Sequence, residues 1–175
     1  QMDMGFEKID RIETDEYINM IRLKTAVLLG GALKIGAMVG GGSAADAALL
    51  YTFGEHMGIA FQLQDDILDV YGDPEKFGKQ VGGDILSNKK TFMLIKAQEL
   101  AQGERKKGLN YWLKKTDANP AEKVKEVSAI YNQLDIRQLA ETRMNSFVEL
   151  ALLSLDRLSV SSDKKAPLQS FAEQL

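Results

Sequence analysis

The chain contains no cysteine among its 175 residues. Disulfides, thiolate-bound zinc, iron–sulfur clusters and a cysteine nucleophile are thereby excluded. A thiol-free composition fits a reducing compartment, and the chain is expected in the cytoplasm. The single histidine, His56, cannot build a multi-histidine metal site. Neither sign of charge dominates: 22 Lys and Arg face 25 Asp and Glu, for a net charge of −3. No overall basic field draws in nucleic acid or anionic lipid, so neither is an expected partner. Long apolar runs are also scarce. The strongest, residues 26–42, is 17 residues long, is over a third glycine and carries Lys34 inside it. A membrane-spanning helix needs roughly 20 predominantly apolar residues, so no span is expected. With 45% hydrophobic and 27% charged residues and only three prolines, the composition is that of a globular protein with a core of its own.

Helical periodicity runs through nearly the whole chain, and no stretch alternates as a strand would. Thr14 is placed to cap a first helix, with Asp15 and Glu16 in its first turn. Tyr17, Ile18, Ile21, Thr25 and Leu28 then recur at helical spacing, and the helix is expected to run to about Val39. Gly40-Gly41-Gly42 breaks it, and Ser43-Ala44-Ala45-Asp46 opens the next helix as a variant capping box. That helix continues through Phe53, Met57, Phe61 and Leu68 to about Tyr71, where Gly72-Asp73-Pro74 stops it. Residues 72–88, with four glycines and a proline, read as a loop of about 17 residues, a length that often marks a functional lid. Further helices are expected over 90–101, 104–115, from Asn119-Pro120 to about Leu134, and over 137–158. Leu139, Met144, Phe147, Leu150 and Leu153 are the core candidates of the 137–158 helix, and Pro167 should start a final helix. The fold class is all-α.

The segment Phe61-Gln62-Leu63-Gln64-Asp65-Asp66-Ile67-Leu68-Asp69 places three carboxylates within five residues of a helix with an otherwise apolar side. On a helical wheel with Phe61 at zero, Asp65 falls near ~40°, Asp69 near ~80°, Gln62 near ~100° and Asp66 near ~140°. Aspartate is a poor residue for a helix interior, and like charges crowded together are costly unless a cation neutralises them. A solvated acidic face would normally interleave lysine or glutamate at i,i+4, and this arc has neither. Oxygen-only donors suit Mg²⁺ or Ca²⁺. An EF-hand loop is excluded because Pro74 takes the place of its glycine, and a di-iron bundle because no Glu-x-x-His pair exists. Mg²⁺ shared with a substrate phosphate fits best. Basic partners for that phosphate are available in Lys24-Thr25, in Gly78-Lys79 and in Lys89-Lys90.

Taken together, these motifs resemble the trans-type isoprenyl diphosphate synthases, which include farnesyl and geranylgeranyl diphosphate synthases. Tyr17 through Lys24-Thr25 resembles the family's Tyr…Lys-Thr helix. Phe61-Gln62-x-x-Asp65-Asp66-x-x-Asp69 resembles its second aspartate-rich motif, and Gly78-Lys79, Gly82-Gly83-Asp84-Ile85 and Asn88-Lys89 follow in register. The resemblance implies a helical bundle around a central cavity, usually a homodimer. It also implies a Mg²⁺-dependent head-to-tail condensation of an allylic diphosphate with isopentenyl diphosphate. By the same resemblance Asp65 would bind Mg²⁺, with Asp66 and Asp69 in support. Lys24, Lys79 and Lys89 would grip the allylic diphosphate, Thr25 and Gln62 would steady the reacting region, and Phe61 would contact the isopentenyl group. Lys90 receives no role.

The family's first aspartate-rich motif is not in this sequence. The chain is therefore expected to be the C-terminal portion of one all-α synthase domain, with residues 1–13 as a ragged start and 72–88 as an active-site loop. Two other readings are a non-catalytic regulatory subunit of a heteromeric synthase and a terpene cyclase. The intact aspartate motif speaks against the first and the set of lysines against the second. Assayed beside a complete synthase, the 175-residue chain alone should show no elongation; comparable turnover would contradict this expectation.

Overall fold

The computed structural model describes residues 12–73 and 81–175, and among them every regular element is helical. Lys79, with Gly78 before it, lies outside the described residues, as do residues 1–11 of the ragged start. In chain order the helices are α1 (Thr14–Ile21), a π-helical turn (Arg22–Ala26), α2 (Val27–Val39), α3 (Ala44–Tyr71) and the short α4 (Gly83–Leu86). They continue with α5 (Phe92–Leu100), α6 (Gly103–Lys114), α7 (Pro120–Gln133), α8 (Ile136–Asp156) and α9 (Ser162–Glu173). No helix among the described residues is long and apolar enough to cross a membrane.

Several expected boundaries hold for the reasons given. Gly40 and Gly41 end α2, Gly72 closes α3 with its N–H on Leu68 O, and the Asn119 side chain accepts the Glu122 N–H at the start of α7. Others shift. Thr14 does not cap α1. Glu13 holds that place: its carbonyl accepts the first helical bonds and its N–H donates to the Glu16 carboxylate, while the Thr14 hydroxyl donates to Glu99. The helix expected from 14 to 39 is interrupted by the π turn, which holds one residue more per turn than an α-helix. Phase is lost there, so Tyr17 is buried while Leu28, assigned to the same stripe, is 75% exposed. The loop expected over 72–88 contains α4. Pro167 lies inside α9 instead of starting it, where it forgoes one backbone bond in an exposed helix. On α8 the buried apolar residues are Ile136, Ala140, Met144, Phe147, Ala151 and Leu155, whereas Leu139, Leu150 and Leu153 are exposed.

The described residues fall into two compact units. The first joins residues up to 17 with 65–141, and so contains the end of α3 and all of α4 to α7. Ile67, Val70, Ile85, Phe92, Leu94, Leu109, Trp112, Val127 and Tyr131 are buried in it. The second joins 18–64 with 142–175. Its core packs Phe53 and Met57 of α3 with Ala151 and Leu155 of α8, Leu158, and Ala172 of α9. Within this unit α3 crosses the π turn and α2 at very short range. A Cβ on Gly58 would lie 2.6 Å from Ala26 Cα, and one on Gly54 would lie 2.8 Å from Gly30 Cα. Only residues without side chains fit there. Ser43 and Asp46 form the expected capping pair, and the Asp46 carboxylate also accepts the N–H and hydroxyl of Ser159. These donors hold Asp46 below the ordinary carboxylate range.

His56 is packed in the same unit, its ring centroid 6.0 Å from that of Phe147, and its Nδ1 is buried without a hydrogen-bond partner. Burial lowers its pKa below the ordinary 6.5, against the opposing pull of the Glu55 charge and the Leu150 backbone. The folded chain thus keeps the ring neutral where the unfolded chain takes up a proton. The stability tied to this ring is full above the unfolded pKa and is lost as pH falls through the folded one. Between about pH 7 and about pH 5.5, the melting temperature should drop more for the wild type than for His56→Gln. Parallel curves for the two proteins would show that the ring carries none of the effect.

Candidate functional site

The last turns of α3 carry the three aspartates, and the structure gives each a different environment. Asp65 is exposed, Asp66 is 4% exposed, and Asp69 is half-buried. Asp66 Oδ2 accepts the Tyr17 hydroxyl at 2.5 Å and the Phe92 N–H at 3.2 Å. Phe92 opens α5, whose N-cap residue Thr91 makes no side-chain cap. Asp66 therefore supplies, from another helix, an acceptor for a free N–H at the start of α5. Burial pushes its carboxyl up to about 7, and the two hydrogen bonds offset only part of that rise.

Asp69 is held by the turn that leads into α4. Its Oδ1 accepts the Asp84 N–H at 2.9 Å and its main-chain oxygen accepts the Gly82 N–H at 2.6 Å. Burial raises its pKa; the Asp84 N–H opposes the rise, and the charges of Asp84 and Asp65 add to it. Gly82 has φ +91°, and a Cβ there would stand 2.6 Å from Val124 Cγ2, so the turn needs glycine on both conformational and steric grounds. Lys89 reaches back over the same turn, its Nζ 2.9 and 3.1 Å from the two Asp84 oxygens. Burial alone would lower the Lys89 pKa, but Asp84, with Asp66 and Asp65 behind it, raises it overall. Asp65, Asp66, Asp69, Asp84 and Lys89 thus form one electrostatic group.

The remaining expected residues belong to the second unit. Lys24 is exposed and Thr25 half-buried, and both lie within the π turn, a distortion frequent at functional sites. Phe61 is 50% exposed, unusual for a phenylalanine, and Gln62 is half-buried. Lys90, in the first unit, is half-buried. Lys123 escaped the sequence reading. It is 5% exposed on α7, and its Nζ donates to Leu86 O at 3.2 Å and to Asn88 Oδ1 at 2.7 Å. One signal was available: it falls in step with Val127, Ile130 and Tyr131, so a lysine stands in the apolar stripe.

Among the described residues no three His, Cys, Asp or Glu side chains converge as a complete metal cage. Asp65 and Asp69, four residues apart on one helix and both reached by solvent, fit a hard cation that takes its other ligands from water and phosphate. Asp66, turned inward and engaged by two donors, fits a supporting place.

Residues 1–133 match the family model described as polyprenyl synthetase, and the chain belongs to that family. It is 37% identical over 165 residues to the short chain isoprenyl diphosphate synthase of Methanothermobacter thermautotrophicus, covering 94% of this chain and 50% of that protein. A crystal structure of a geranylgeranyl pyrophosphate synthase superposes with a TM-score of 0.90 at 37% identity, over 98% of this chain and 54% of that one. The Corynebacterium glutamicum geranylgeranyl pyrophosphate synthase, complexed with isoprenyl diphosphate and magnesium, gives 0.87 at 28% identity, over 98% and 48% of the two chains. The chain spans about half the length of the curated relatives it matches.

The buried acceptor at Asp66 allows a stability test. Asp66→Ala leaves the Tyr17 hydroxyl and the Phe92 N–H without their partner and should cost about 1–3 kcal/mol in chemical denaturation. Asp66→Asn keeps an oxygen in place and should cost clearly less. Equal losses for the two would mean that the acceptor is not what matters.

Proposed function

We propose that the protein is a prenyltransferase that joins an allylic diphosphate head-to-tail to isopentenyl diphosphate with the help of Mg²⁺. The observation that carries this reading is the acidic turn of α3. Asp65 and Asp69 meet solvent there, backed by the N–H of Asp84 and by the ammonium of Lys89. Family membership supports it, as does the relative whose structure holds isoprenyl diphosphate and magnesium.

In this reading Asp65 and Asp69 hold the metal, and Asp66 braces that turn of α3 from inside. When bound, Mg²⁺ supplies the charge that makes diphosphate a competent leaving group. Lys24, Lys79 and Lys89 grip the allylic diphosphate oxygens and stabilise the charge that develops on them. Thr25 and Gln62 steady the reacting region, and Phe61 offers an apolar face to the isopentenyl group. The protein would act in the cytoplasm as a homodimer. The exposed apolar residues Leu28, Ile35, Met38 and Val39 of α2 support a face that is covered in the assembly.

In the complete polypeptide, Asp65→Ala should lower turnover by several orders of magnitude, about a thousandfold or more, with the helical circular dichroism unchanged. Activity near that of the wild type would remove the aspartate turn from the chemistry. A large loss of helicity would assign Asp65 a structural role instead.

A further inference from the structure

Lys123 is an ammonium buried on α7 against the end of α4, with only neutral acceptors. It donates to Leu86 O, the last carbonyl of α4, and to Asn88 Oδ1, and among the described residues no carboxylate pairs with it. Its environment lowers its pKa through burial, with no opposing charge. A lysine stem is long and flexible enough to take its charge to water, and this one is folded inward instead. Keeping a charge there is costly unless its hydrogen bonds compensate the lost water.

Those bonds tie the C-terminal end of segment 82–89 to α7. Asn88 sits at φ +53° with its Oδ1 on Lys123 and its Nδ2 on Leu113 O, so its side chain is tied at both ends. Val124, next to Lys123 on α7, fills the space against Gly82 at the other end of the segment. Between these two anchors lie the Gly82 and Asp84 N–H groups that hold Asp69, and the Asp84 carboxylate that holds Lys89.

We propose that Lys123 is a positioning residue: through Leu86 and Asn88 it clamps the 82–89 turn on α7, and so sets Asp69 and Lys89 in fixed places for a metal-bound diphosphate. Its ligand rests on the prenyl-transfer reading, whereas the clamp itself does not.

The test uses the complete polypeptide, with Lys123→Met to remove the charge and Asn88→Gly to remove the acceptor while keeping the left-handed backbone. Amide exchange of the 82–89 peptide should become about tenfold faster in both variants. Affinity for Mg²⁺ measured by calorimetry with inorganic pyrophosphate should fall about tenfold or more, as it does when groups that orient metal ligands are removed. Unchanged exchange would overturn the clamp. Faster exchange with unchanged magnesium pyrophosphate affinity would overturn the positioning role and leave a purely structural lysine. A wild type that binds no magnesium pyrophosphate would overturn this proposal together with the prenyl-transfer reading. One that binds it tightly but does not elongate would sink that reading alone, with Lys123 still judged by the two variants.

Discussion

The constraint that shapes this protein is the gathering of like charge at one end of α3. Asp65, Asp66, Asp69 and Asp84 act on one another, and Lys89 is the cation that answers them most directly. Each carboxylate meets the crowding in its own way. Asp66 gives up much of its charge, its pKa raised to about 7, and spends its oxygen on Tyr17 and on the start of α5. Asp69 takes a backbone N–H, Asp84 takes the lysine, and Asp65 turns to solvent. These solutions are not interchangeable. An inward carboxylate can be neutral at modest cost when donors satisfy it. The division separates the aspartates that reach solvent from the one that holds the helices together.

Much of the fold was legible because its punctuation is local. Gly40-Gly41-Gly42, Gly72 and Asn119-Pro120 end or begin helices through backbone geometry and capping, which depend on the few residues around them. What the sequence concealed depends on neighbours distant along the chain. On α8 the leucines looked like core, yet Ala140 and Ala151 are fully buried while Leu150 and Leu153 are exposed, which depends on what each face of the helix meets. The π turn has no signature of its own in Arg22-Leu23-Lys24-Thr25-Ala26, and it put the two halves of one apparent stripe out of phase.

At the site the aspartates and Lys89 stood out as chemistry that a bland helix would not carry. The wheel put Asp66 on the polar arc, about 100° from Asp65, and only partners 49 and 26 residues away, Tyr17 and Phe92, turn it inward. Lys123 stayed hidden because lysine is read as surface by default, and only its place among Val127, Ile130 and Tyr131 marks it as different.

The crossing of α3 over Ala26 and Gly30 has a mechanical consequence. Ordinary helix contacts contain side chains that can change rotamer and absorb a small displacement. Here main chain rests almost directly on main chain at Gly54 and Gly58, so the contact has little such cushion. A push on one helix at that point passes undamped to the other, and the joint behaves like a weld rather than a bearing. Lys24 and Thr25 precede Ala26 in the chain, so any shift of Ala26 at this crossing is handed directly to them.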